Sequence, residues 1–198
     1  MGNFLSKSLF LINKPQVIVV TGESKSQIGK LISQVLSRKF KVKKIINSKL
    51  PIVGGNDILV VEEIKDTKMF DFLARSSKLF TLVINEFALS DYISNLIRKL
   101  PSKSNLIFSF NEEYKKEIEN FGNFNIVTFG FQEKADFQAT DVIFNGRTNF
   151  KINYRGNTVP IWLDKICDEK EIKIALAAAC VGAIFNLNLV EVSQSFQK

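Results

Sequence analysis

No histidine occurs among the 198 residues. Its absence removes the imidazole base, the serine-histidine-aspartate triad and most zinc sites, so any chemistry has to run on carboxylates, Lys, Ser/Thr or a bound cation. Cysteine is nearly as scarce. Cys167 and Cys180 are the only two, too few for a disulfide scaffold, and they read as reduced, buried thiols of an intracellular, cytoplasmic protein. Long hydrophobic runs are missing: Ile174 to Phe185 is the longest, about a dozen residues where a bilayer span needs roughly 20. No transmembrane segment is expected. Lys7 splits the apolar opening Met1 to Ile12 and no small-residue cleavage pattern follows, which argues against a signal peptide. Met1, Gly2 and Ser6 fit the myristoylation pattern M-G-x-x-x-[ST], but so short a motif reads as coincidence. Acid is almost absent from the first 50 residues, which hold ten Lys/Arg and one carboxylate (+9) against 17 basic and 19 acidic residues (−2) in the rest. The 45% hydrophobic content is ordinary for a folded chain and excludes a disordered tail.

What is present is an alternation. Val17 to Val20, Ile58 to Val61, Thr81 to Ile84, Leu106 to Phe108 and Ile126 to Phe129 are short apolar runs bounded by polar or turn residues, as buried parallel strands are. Between them Gln27 to Leu36, Lys68 to Arg75, Leu89 to Leu100 and Glu112 to Phe121 place apolar residues three or four apart. Strand, helix, strand, helix predicts a mostly parallel sheet wound by right-handed crossovers, with ligands at the carboxyl ends of its strands. From Ala135 to Leu163 the period becomes two, with Gly146 and Gly156 at turns, which predicts a small antiparallel meander. Glu169 to Phe185 and Val190 to Phe196 read as a closing helix pair, the first rich enough in alanine to pack closely. One α/β, P-loop-like domain is expected over 1–198: an N-terminal helix or arm at 1–14, a parallel core at 15–134, the meander at 135–165 and the helix pair at 166–198. Phe70, Phe72, Phe108, Phe110, Phe129 and Phe131 are expected in the core, while Phe4, Leu5, Leu9, Phe10 and Leu11 predict a helix that covers the sheet edge or docks on another chain, with covering the expected use.

The stretch Val17 to Ser26, VIVVTGESKS, feeds an apolar strand into a glycine turn, a Lys-Ser pair and a helix. In a working phosphate loop, G-x-x-x-x-G-K-[ST], backbone N–H groups and the helix N-terminus surround the phosphates, the lysine neutralises them and the hydroxyl holds magnesium. Here the second glycine is absent, and a nest of N–H groups needs backbone angles that other residues reach only with strain. Glu23 adds a penalty: a carboxylate about 5 Å from a phosphate costs roughly 3 kcal/mol per unit charge at an effective dielectric near 20, about what Lys25 returns. The alternative for this loop is a strand-to-helix turn with a Ser/Thr cap and a solvated lysine.

These residues resemble the start of the central ATPase domain of the Mur ligases, closest to the MurF branch. Thr21 and Gly22 match the family pattern V-I-x-V-T-G-[ST]-x-G-K-T-T, and Lys25-Ser26 fall on its Lys-Thr with one residue deleted. Asp57 to Glu62 resembles the strand whose glutamate holds magnesium. Val127 to Gly130 with Lys134 to Asp141 resembles T-[YF]-G…A-D-[FY]-x-A-x-[ND], and Val159 to Leu163 with Ala175 to Gly182 and Leu187 to Val192 resembles the closing strand and helices. The likeness runs from about residue 10 to 197. It implies that Thr21, Gly22, Ser24, Lys25 and Ser26 would bind a nucleotide, and that Ser26 and Glu62 would share a magnesium ion. Departures point the other way. The family's magnesium-binding histidine is lost from Ile84 to Asp91; its N-x-D-D stretch, whose asparagine helps to hold the nucleotide, appears as Ser109-Phe-Asn-Glu-Glu113; its H-N-x-x-N appears as Lys170 to Ile174; Glu62-Glu63-Ile64 replaces the strand-end glycine; and the two flanking domains of the family are not in this sequence.

The expectation is therefore a non-catalytic, bacterial Mur-central-like module linked to peptidoglycan or envelope synthesis, with another protein, a cell-wall ligase or envelope enzyme, as partner and no catalytic residue of its own. The alternative is an ATP-dependent carboxylate-amine ligase remnant, or half of a split ligase, that binds ATP and Mg. A second alternative binds nucleic acid, another anionic polymer or a membrane surface through Arg38 to Lys44. Phe40 and Val42 alternate there with Lys39, Lys41 and Lys43, which reads as a strand with one face inward and its lysines in water, and no stacking aromatics sit among the cations, so nucleic acid is not expected.

Overall fold

A computed structural model describes residues 2–45, 50–55, 57–64, 66–85, 90–163 and 165–197, the side chains of residues 2 and 3 excepted. The chain begins α1 (Gly2–Asn13), β1 (Gln16–Gly22), α2 (Lys25–Leu36), β2 (Lys41–Ile45) and β3 (Asp57–Glu62). It continues α3 (Thr67–Ser76), β4 (Leu79–Asn85), α4 (Asp91–Arg98), β5 (Asn105–Ser109), α5 (Glu112–Glu119) and β6 (Asn125–Gly130). The meander is β7 (Phe137–Asn145), β8 (Arg147–Tyr154) and β9 (Asn157–Leu163), and α6 (Glu169–Ile184) and α7 (Leu189–Phe196) close the chain.

The described strands form one nine-stranded sheet in the order β2-β3-β1-β4-β5-β6-β7-β8-β9. All pairs are parallel as far as β6–β7, and β7–β8–β9 are antiparallel. Alternation along β1 decides the layering: Ile18 and Val20 face one hydrophobic cluster with α2, α6 and α7, while Val17 and Val19 face a second with α3, α4 and α5. A sheet buried on both sides needs near-continuous apolar strands, which is what the sequence supplies. Because β3 lies on one side of β1 and β4 on the other, the strand order reverses at β1, and in open α/β sheets the space outside the carboxyl end at such a reversal is where ligands bind.

Gly146 and Gly156 sit at the meander turns with φ of 68° and 76°. The alanine-rich α6 packs as closely as expected: a Cβ on Gly182 would lie 2.8 Å from Val192 Cγ2 and 3.0 Å from Val35 Cγ1. The T-F-G…A-D stretch serves the fold. Thr128 donates through both its N–H and its hydroxyl to Asp136 Oδ2, at 2.8 and 2.7 Å, and pins the turn after β6 back onto the strand.

Three expectations change. Phe70, Phe108 and Phe129 are core, but Phe72, Phe110 and Phe131 are only half-buried. The helix expected at the amino terminus forms, yet it buries Phe10 and leaves Phe4, Leu5 and Leu11 exposed. The basic stretch is a turn followed by β2, which has apolar side chains on both faces: Val42 packs with one cluster and Ile45 with the other. Its lysines are not simply in water, since Lys39 pairs with Glu191, Lys43 with Asp57 and Lys44 with Glu62. The stretch 84–91, where the family carries its histidine, falls largely on residues 86–89, which lie outside the described residues, as does Leu89 at the start of the expected fourth helix.

Candidate functional site

The crevice at the end of β1 is bounded by Gly22–Ser24, the first turn of α2 and the ends of β3 and β4. Gly22 turns with φ of 91° and Ser24 with φ of 56°, so the chain passes from strand into helix through two left-handed residues with one between. Glycine takes this conformation freely, whereas a serine pays about 1–2 kcal/mol for it. Asn85 holds the turn from below, accepting from Glu23 N–H at 2.9 Å through its own carbonyl and donating Nδ2 to the Glu23 carbonyl at 3.1 Å. Thr21 is buried under it. Ser24 occupies the N-cap of α2 without a side-chain hydrogen bond, so the expected Ser/Thr cap does not form.

Each carboxylate around the turn has a lysine. Lys25 Nζ lies 2.7 Å from Glu63 Oε2, Lys44 Nζ lies 3.2 Å from Glu62 Oε1, and Lys170 Nζ lies 3.1 Å from Glu23 Oε2. Among the described residues, three carboxylates and three lysines are thus paired at the place where a phosphate loop carries a net positive charge. Ser26 Oγ donates to Glu62 Oε2 at 2.6 Å, so these two expected metal ligands are side by side. Gly29 permits this: a Cβ there would meet Glu62 Oε1 at 3.0 Å. Both oxygens of Glu62 are thereby engaged, Oε2 by the Ser26 hydroxyl and Oε1 by the Lys44 ammonium. Among the described residues no group of three His, Cys, Asp or Glu side chains gathers to form a fuller metal site. Lys25, the lysine expected to meet a phosphate, is engaged by Glu63, and the carboxylates of Glu62 and Glu23 are each paired with another lysine.

Glu63 is the residue that sequence reasoning missed. It has φ of 58°, and its N–H reaches the Val20 carbonyl at 2.9 Å, extending the β1–β3 ladder by one bond. A left-handed residue at the end of β3 is the signal that could have been read from the lost glycine of the Glu62-Glu63-Ile64 stretch. Other substituted positions have also taken on structural work. Asn111 caps α5 by accepting from Glu113 and Tyr114 N–H. Glu171 forms a capping box with Asp168 at the start of α6 and also binds Lys165. The Lys165 ammonium is the main reason that the Glu171 carboxyl lies below its ordinary range. These two line a cavity of about 350 Å³ one turn along α2 from Ser26, whose floor includes Leu31, Cys167 and Ile174.

No family model matches the sequence, and neither does any curated protein. Solved structures do. A UDP-N-acetylmuramoylalanyl-D-glutamyl-2,6-diaminopimelate--D-alanyl-D-alanyl ligase from Acinetobacter baumannii superposes with a TM-score of 0.75 at 16% identity, over 98% of this chain. The chain has the Mur ligase fold. The MurF ligase of Thermotoga maritima, solved in complex with ADP, gives a TM-score of 0.74 at 17% identity over 96% of this chain. The UDP-N-acetylmuramate:L-alanyl-gamma-D-glutamyl-meso-diaminopimelate ligase of Neisseria meningitides gives 0.69 at 14% over 98%. The chain spans about half of the first two Mur ligases, 48% and 51%, and 68% of the third, which matches their central domain. At these identities the likeness is one of fold.

Proposed function

We propose that this chain is a non-catalytic Mur-ligase-like module that serves cell-envelope synthesis through a protein partner, its nucleotide cradle closed by its own side chains. The single observation that supports this most is the Lys25–Glu63 ion pair at 2.7 Å, within a loop whose three carboxylates are each matched by a lysine. A polyphosphate entering the crevice would have to break that pair and then lie beside Glu23, Glu62 and Glu63. At about 5 Å and an effective dielectric near 20, each costs roughly 3 kcal/mol, and the lysines return about the same, so little electrostatic drive remains. The test is turnover: the purified chain, given Mg-ATP and peptidoglycan-type carboxylate and amine substrates, releases no phosphate above background. Phosphate release that needs both substrates would refute the reading.

One observation favours a second reading, a ligase remnant or half of a split ligase that binds Mg-ATP. The Ser26 hydroxyl and the Glu62 carboxylate are neighbours, hydrogen-bonded at 2.6 Å, so that both are at hand for one cation. In that case Ser26 and Glu62 hold the metal, Thr21, Gly22 and Ser24 shape the loop, and Lys25 leaves Glu63 for the phosphates. Micromolar Mg-ATP affinity that Lys25→Ala abolishes would favour it.

A further inference from the structure

We propose that the outward face of α1 docks on an anionic lipid surface. The helix has two apolar sides. One is used in the fold: Phe10 is fully buried with its ring 5.2 Å from that of Phe72, and Asn13 Nδ2 donates to the Val53 carbonyl at 2.7 Å. The other faces solvent. Phe4 is 81% and Ile12 75% exposed, and Leu5 and Leu11 are at least half exposed. Residues 4 and 11, like 5 and 12, are seven apart, two turns, so the four side chains form one stripe. Ile52, in the loop that Asn13 touches, is 61% exposed as well. Contiguous apolar surface of this kind marks an interaction site.

The charge around the stripe identifies the occupant. Helix α1 contains no acidic residue. Lys7 lies over the Phe72 ring at 5.8 Å, Lys14 follows the helix, and Lys78 donates its N–H to the Pro15 carbonyl beside it. Lys68 and Arg75 stand one turn to either side of Phe72 on α3. All five are exposed, and none has a carboxylate partner among the described residues. The carboxylates nearby on α3 are committed, Asp66 to capping that helix and Asp71 to Lys99. An apolar stripe collared by cations suits a bilayer interface, with the side chains among the acyl ends and the ammonium groups at anionic headgroups. A second copy of this chain would bring two basic collars together, which like-charge repulsion disfavours. This docking is independent of what occupies the crevice at β1.

The experiment is flotation of the full chain with vesicles of equal parts phosphatidylglycerol and phosphatidylcholine, and with phosphatidylcholine alone. The chain is expected to float with the anionic vesicles, to be released by added salt, and to bind the neutral vesicles at least about tenfold less. Phe4→Ser/Ile12→Ser is expected to keep the wild-type melting temperature, because both side chains are in solvent, and to lose binding at least about tenfold. Lys14→Glu/Lys78→Glu weakens binding to the anionic vesicles only. Equal binding to both vesicle types, or undiminished binding by the serine variant, overturns the proposal. So does absence of flotation, including the case in which light scattering finds a dimer or an acidic protein complex that the serine variant loses.

Discussion

Lys25 and Glu63, 38 positions apart in the chain, meet at 2.7 Å across the crevice at the end of β1. The pair joins the helix that should present a phosphate to the strand end that should leave room for one. Each side chain is about one-third exposed, so the pair itself adds at most about 1 kcal/mol to stability. Glu63 meanwhile holds φ at 58°, a strain of about 1–2 kcal/mol that glycine avoids. The two effects nearly cancel. Glu63→Gly is therefore expected to change unfolding free energy by no more than about 1 kcal/mol in denaturant melts. Combined with Glu23→Ser, it should raise affinity for inorganic triphosphate by at least about tenfold, since two carboxylates leave the crevice. Unchanged affinity in a folded double variant would mean that charge is not what closes the cradle.

Gly182 is where α6, α2 and α7 come closest. Gly182→Ala would place its methyl 2.8 Å from Val192 and 3.0 Å from Val35, so the helices must part. Alanine gains about 1 kcal/mol in helix propensity, but overpacking of this kind costs about 1–3 kcal/mol. A net loss of stability is expected in thermal or urea melts. Gly182→Leu should be clearly worse.

Asp57 gives the fold an acid limit. Burial pushes its carboxyl up, but the Lys43 ammonium at 2.7 Å and the Gly54 N–H outweigh burial and hold it below the ordinary value. A depressed carboxyl contributes stability that is fully present above its unfolded pKa, about 3.9, and is lost as pH falls through the folded value. Melting temperature should therefore drop as pH is lowered from about 5 through the acid range. Asp57→Asn should cost about 1–2 kcal/mol at neutral pH and flatten the drop.

The thiols are sealed in the structure. Burial pushes the Cys180 thiol well above its ordinary range, and burial also raises Cys167. Because the thiolate is the reactive species, neither should label with iodoacetamide in the native chain near pH 8, and both should label once it is denatured. Fast native labelling of Cys180 would contradict the packing of α6.

The strands were legible because buried parallel strands must be apolar on both faces, a demand that Val17–Val20 and Ile58–Val61 meet without ambiguity. The meander was legible because Phe150 and Ile152 alternate with polar neighbours. The ion pairing around the loop was not. That Glu63 adopts a left-handed conformation, and so aims at Lys25, depends on a ladder bond to Val20 that no local pattern encodes. The clamp from Asn85 is equally non-local. In the basic stretch, alternation identified Val42 as inward but could not show that Lys43 and Lys44 would find Asp57 and Glu62 on the neighbouring strand. Helix α1 was expected and forms, but with apolar residues on both sides its sequence does not say which side the fold receives.

The central claim is that the crevice at β1 is neutralised from within and does not take a nucleotide. Isothermal titration of the wild-type chain with Mg-ATP tests it directly, with Lys25→Ala as the control. The account predicts no binding heat up to about millimolar ATP for either protein. Saturable binding at about micromolar ATP, lost in Lys25→Ala, would contradict it.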